Sequence, residues 1–197
     1  RVLVQEFGGT LFTIAKDVKF QIEFNPAYVK SYRLVGYENR MLADEDFNDD
    51  TKDAGEMGAG HTVTALYEII PAGSDETGLP IIDPLRYQGD RKEKEVRAPL
   101  ADAPRELCNI KLRYKLPDGL TSKMFSKTVG TEIKNVGETT DRFRFSASVA
   151  AFGMILRNSN FKGTATVEDV VRLASGSRGT DPDGYRAEFI RLVQSTR

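Results

Sequence analysis

The chain has 197 residues, 40% of them hydrophobic and 29% charged, which is enough for one sizeable domain or a compact domain with an appendage. A formal net charge of -1 leaves no electrostatic footprint for nucleic acid or an anionic membrane, and no apolar run reaches the length of a bilayer span. A single cysteine, Cys108, excludes a disulfide-stapled fold.

Over residues 2–15, Leu3, Phe7, Leu11 and Ile14 recur at helical spacing, interrupted by Gly8 and Gly9. Such a stripe needs a partner surface. The chain opens at Arg1 without Met, inside this pattern, so the reading places the natural N-terminus upstream. From Asp17 the period changes to two. Val18, Phe20, Ile22 and Phe24 alternate with Lys19, Gln21 and Glu23, predicting a strand with the first set buried, and Asn25-Pro26 ends it. A second strand is expected over residues 28–37, with an irregularity near Gly36, and a third over residues 61–70, where Val63, Ala65, Tyr67 and Ile69 share a face.

Residues 72–106 form a long connection with Pro80, Pro84, Pro99, Pro104 and a charge-dense stretch at 90–97. Over residues 107–116, Cys108, Ile110, Leu112, Tyr114 and Leu116 alternate with Asn109, Lys111, Arg113 and Lys115. Pro117-Asp118-Gly119 then supplies a turn to a return strand at 122–129. Polar outer faces favour antiparallel pairing.

After Asp141 the pattern is helical, with Phe145, Val149, Phe152, Gly153 and Leu156 outlining one face. A second helix starts at Thr166 as N-cap, presents Val170, Val171 and Leu173, and ends at Gly176. A third takes Asp181 as cap and Pro182 as its first residue, with Tyr185, Phe189 and Leu192 inward. Strands followed by helices predict an α+β fold: an antiparallel β-sandwich or curved sheet of about five to seven strands, then a C-terminal cluster of about three helices.

The blocks "TIAKDVKFQIEFNP", "YRLVGYENR", "DFNDDTKDAGEMGAGHTVTALYEI" and "DPLRYQ" resemble the uncharacterised C-terminal domain of bacterial von Willebrand factor type A domain-containing proteins, the YfbK-like group. The resemblance covers nearly the whole chain. It implies that residues 1–15 are the last helix of an upstream type A domain, 16–138 a β-sandwich-like region and 139–197 a helical region. It implies as partners that type A domain and a cell-envelope protein, and a periplasmic or envelope location. The type A domain of such a parent holds a divalent metal through D-x-S-x-S; no such motif stands in this sequence, so no residue here inherits that site.

Several residues invite chemistry. Asp44, Asp46, Asn48, Asp49, Asp50, Asp53 and Glu56 imitate the start of a calcium loop, but the sixth position from Asp44 is Asp49 in place of Gly, and the twelfth is Gly55 in place of Glu. A solvated acidic loop is the stronger reading. His61 is the lone histidine, and its place at a strand start favours capping or packing. A Cys108/His61 pair would need both on one sheet, while Cys108 on an inward face reads as a small apolar residue with a raised thiol pKa. Gly55, Gly58 and Gly60 lack the order of a phosphate loop and read as turn glycines. Arg142, Arg144, Arg172, Arg186 and Arg191 scatter over helix faces in solvated or dipole-compensating roles. No catalytic, cofactor-binding or metal-binding residue is assigned. The reading is a non-catalytic structural or protein-interaction module that neither binds nucleic acid nor inserts into a membrane. The alternatives are an enzyme with a cleft near His61 and the acidic segment, or a calcium-stabilised module.

Overall fold

The computed structural model describes residues 12–36, 47–75 and 105–196. They form an α+β chain of six strands followed by three helices: β1 (Thr13–Phe24), β2 (Val29–Val35), β3 (Gly55–Gly58), β4 (Leu66–Pro71), β5 (Glu106–Lys115), β6 (Lys123–Gly130), α1 (Asp141–Leu156), α2 (Val167–Gly176) and α3 (Tyr185–Gln194). Among the described residues two compact units result, one holding those up to 131 except 64–66, and the other holding 64–66 with 132–196.

In the first unit, β3, β1, β5 and β6 lie side by side in that order as an antiparallel sheet, and β2 pairs with β4. Ala72 N donates to Tyr28 O at 2.8 Å at one end of that pair and Arg33 meets Glu68 further along, an antiparallel arrangement. The corner between the sheets is Asn25-Pro26. The Asn25 amide donates to Glu106 O at 2.9 Å and its carbonyl accepts from Ala27 N at 3.0 Å, so one side chain closes the turn and ties it to β5. Past the corner, Phe24 of β1 meets Tyr32 of β2 and Tyr67 of β4, with ring centroids 4.3 and 5.6 Å away.

Several expectations change here. The helical stripe does not run through residue 15: Thr13 pairs with Gly58 and Ala15 with Met57, so Ile14 belongs to β1. Leu3, Phe7 and Leu11 lie outside the described residues. The strand expected over 61–70 is shorter, and the short strand β3 precedes it, because two glycines flanking Glu56 and Met57 hide a period-two signal. The faces of β1 are not sorted as expected either. Lys19 is 3% exposed and Phe20 is 55% exposed. An acidic loop lies over the Lys19 side, while the aromatic cluster with β2 and β4 forms at the Phe24 end of the other face.

The helical unit has its own core. Phe152, Val170 and Val193 are buried together against Ile155, Val171 and Phe189. Each such side chain contributes about 1.5–3 kcal/mol. Thr140 caps α1 by accepting from Phe143 N, and Thr166 and Asp169 cap α2 reciprocally: Asp169 N donates to the Thr166 hydroxyl at 3.2 Å and Thr166 N to the Asp169 carboxylate at 3.0 Å. Pro182 is not the first residue of α3. Gly184 at φ 72° precedes the helix, and the Asp181 carboxylate reaches past the turn to accept from Arg186 N and Ala187 N at 3.2 and 2.9 Å. The inward faces agree only in part with those expected: Phe152 and Phe189 do pack in the core, but Val149, Leu156, Tyr185 and Leu192 are exposed, and Ser148 and Val193 are buried in their stead. Ser148 is tolerated there because its hydroxyl donates to Phe145 O at 2.6 Å.

Candidate functional site

The densest charged cluster among the described residues forms where the acidic segment meets β1 and β5. Its origin is a bulge. Lys16 pairs with Lys115 and Lys19 with Arg113, so β1 carries one residue more than β5 between those points. Asp17 absorbs it with a left-handed backbone at φ 51°, a region that Asp enters more readily than most side chains. The carboxylate then meets Lys115 Nζ at 2.7 Å and accepts from Ala54 N at 3.2 Å.

Residues 47–54 lie over this bulge. Lys115 Nζ also donates to Asp50 O at 2.7 Å, and the buried Lys19 donates to Asp49 O. Arg113 donates to Asn48 Oδ1 at 3.2 Å and Ser122 Oγ at 2.7 Å, and its guanidinium stands 3.5 Å from the Asp50 carboxylate. Its carbon lies 5.7 Å from the centre of the buried Phe47 ring, while its Nε has no partner among the described residues. Asp49 turns inward on its own loop, accepting from Thr51 N at 2.8 Å and Thr51 Oγ1 at 2.7 Å.

The electrostatics follow from these contacts. The Lys115 hydrogen bond holds the Asp17 carboxyl below its ordinary range, and the same bond raises Lys115. Ser122 lowers Asp50, and the Thr51 hydroxyl lowers Asp49. Charged forms are favoured all round. Carboxylates bound to lysine, arginine, hydroxyl and backbone donors are turned away from a shared cation, and no group of three or more metal-ligating side chains converges among the described residues. Asp44 and Asp46 lie outside the described residues; Asp53 and Glu56 are exposed, with Glu56 accepting weakly from Thr13 Oγ1 at 3.4 Å.

The other residues singled out in the sequence do not join this cluster. His61 is exposed in coil, on no strand, so the shared sheet that a Cys108/His61 pair requires is missing. Cys108 is buried in β5 between Phe24 of β1 and Val129 of β6, and burial raises its thiol pKa. Gly60 does occupy a turn, at φ 78°, but Gly55 and Gly58 are strand residues pairing with Val18 and Thr13. Arg186 is the dipole-compensating arginine: it donates to Ser177 O and Arg178 O beyond the end of α2 and stacks 4.8 Å from Phe145. Arg144 binds Thr139 O and Asp141, Arg172 pairs with Asp169, and Arg142 and Arg191 are solvated. A groove of about 730 Å³ in the helical unit runs past Arg144, Lys162 and Arg172. Lys162 donates to Asn158 there, so each of its cations has a local partner.

Sequence reasoning missed Asp17, Lys19, Arg113 and Lys115 as the partners of the acidic segment. The signal was present: lysine and arginine line the polar face of two strands in a chain whose densest acidic run has no metal spacing. What hid it was the bulge, which no period count reveals.

No helix among the described residues is long and apolar enough to cross a membrane. Residues 9–197 match the family described as "Uncharacterized protein YfbK, C-terminal". The chain is 42% identical over 194 residues to "Uncharacterized protein YfbK" of Escherichia coli (strain K12), covering 98% of this chain and 32% of that relative. No solved structure matches.

Proposed function

The chain belongs to the family of YfbK C-terminal domains, and from that premise we propose that it is a non-catalytic structural or protein-interaction module. In this reading it accompanies a von Willebrand type A domain in a bacterial cell-envelope protein, needs no cofactor of its own, and leaves any divalent metal to that domain. The chain spans about a third of the length of the curated relative it matches, which fits a module working beside a larger body. The observation that carries the reading is the state of the charged cluster. Asp17, Asp49, Asp50, Lys19, Arg113 and Lys115 satisfy one another or nearby backbone in a lid over the sheet. A general acid or base would have its pKa moved toward neutrality, and Asp17, Asp49, Asp50 and Lys115 are moved the other way.

The test is affinity capture from envelope fractions with the full-length parent and with the parent lacking residues 13–196. Loss of a specific partner on deletion, with the type A domain still folded, supports the module. An unchanged partner set, or a catalytic activity abolished by Asp17→Asn without loss of fold, overturns it.

A further inference from the structure

Strand β6 ends the four-stranded sheet, with β5 on one side and no strand on the other among the described residues. It is eight residues long, and all but Val129 are exposed. Both of its faces are open: Met124 is 55% and Phe125 53% exposed. An edge of this length offers a row of unpaired backbone donors and acceptors, and natural sheets cover or blunt such rows.

The pairing with β5 sorts the side chains. Lys123, Phe125, Lys127 and Val129 stand opposite Tyr114, Leu112, Ile110 and Cys108, on one face. Met124, Ser126 and Thr128 occupy the other. Phe125 also ends an apolar row that crosses three strands, Phe20–Leu112–Phe125. Lys123 and Lys127 flank it and have no acidic partner among the described residues, although four of the sheet's other cations, Lys111, Arg113, Lys115 and Lys19, find a carboxylate or carbonyl.

We propose that β6 is a docking edge for an extended segment of a partner protein that adds a strand to this sheet, placing acidic residues opposite Lys123 and Lys127 and an apolar residue opposite Phe125. The proposal rests on the module reading above and names its partner chemistry. Charge chooses the occupant. β6 carries two lysines and no acid, so antiparallel pairing with a second copy would gather four lysines in one ladder, whatever the register. Edge lysines repel like strands and so guard against self-association. The same two charges attract an acidic strand, and alternate side chains of an added strand supply the specificity while its backbone supplies the affinity.

The test uses the 197-residue chain and two fluorescein-labelled strand peptides, one repeating Glu-Thr-Val-Thr so that glutamate and valine take turns on one face, and one with lysine in place of each glutamate. Binding is read by anisotropy, and amide hydrogen exchange is followed across β6. The glutamate peptide should bind and slow exchange in β6, the lysine peptide should not, and K123E/K127E should weaken the glutamate peptide about tenfold and favour the lysine peptide. Both lysines are exposed, so the variant should fold, with K123Q/K127Q as the milder check if it does not. Equal binding of both peptides, binding of neither, or binding without slower exchange in β6 overturns the proposal. So does concentration-dependent protection of β6 without peptide, which would make a second copy the occupant. If the peptides fail while deletion of residues 13–196 still removes a partner from the parent, the docking edge falls and the module reading stands.

Discussion

Lys115 Nζ lies 2.7 Å from the Asp17 carboxylate, and Asp17 meets it from a left-handed backbone at φ 51°. One residue therefore carries both a conformational cost and the contact that offsets it. Replacing it separates the two. Asp17→Gly should relieve the backbone and lose the ion pair, whereas Asp17→Ala should keep the strain and lose the ion pair. Asp17→Ala is thus expected to melt lower than Asp17→Gly, and both below the native chain. Calorimetry reads the order, and Asp17→Ala matching the native melting temperature would remove the bulge pair from any structural role.

The pH dependence follows from the same cluster. Asp17, Asp49 and Asp50 have folded pKa values below their ordinary value of 3.8. Their contribution to stability is complete above that value and is lost as pH falls through the lower, folded pKa values. Lys115 is raised above its ordinary 10.5, so its contribution is complete below that value and is lost as pH rises through the higher, folded pKa. Urea midpoints should be flat near neutrality and drop below about pH 4. In Asp17→Asn that acid drop should shrink. An identical acid limb in native and variant chains would show that the drop comes from other carboxylates.

Calcium should leave stability unchanged, because the Asp49 carboxylate turns to Thr51 and the Asp50 carboxylate to Arg113 and Ser122. Melting temperatures in millimolar calcium and in chelator are expected to coincide. A rise of several degrees with calcium would mean a site-specific ion, since binding to the folded state stabilises it by mass action.

Cys108 should label slowly with thiol reagents until denaturant is added, being buried with a raised pKa. Cys108→Ser should cost about 1–3 kcal/mol, because it puts a hydroxyl on the Phe24–Cys108–Val129 row. Rapid labelling of the folded chain would place the thiol on an open face.

The helix faces give a sharp contrast between neighbours. Val193 is fully buried and Leu192 is 56% exposed. Val193→Ala should destabilise the helical unit by about 1–3 kcal/mol and Phe152→Ala by about 3–5 kcal/mol, whereas Leu192→Ala should stay within about 0.5 kcal/mol. Equal losses at 192 and 193 would show that α3 packs on the face that periodicity alone indicates.

Much of this fold is legible in the residues. Alternation marks β1 and β5, Pro117-Asp118-Gly119 turns β5 into β6, and Gly119 N donates to Leu116 O at 2.9 Å in that turn. Thr166 caps α2 as its sequence announces, and Cys108 is buried as its place in the strand suggests. These features depend on neighbours in the chain, and local sterics and hydrogen bonding settle them. The partner of each polar side chain depends on a different matter. Lys19 is buried because an acidic loop 30 residues away lies over it, and Phe20, one position on, is exposed because the aromatic cluster forms at the far end of its face. Asp17 leaves the regular strand because β1 is one residue too long for β5. Likewise Asp181 caps α3 across a turn, and Val193 takes the inward place that spacing offered to Leu192. Period and propensity describe a segment by itself, whereas register, covering and the choice of buried face come from what packs against it, and only the tertiary structure decides that.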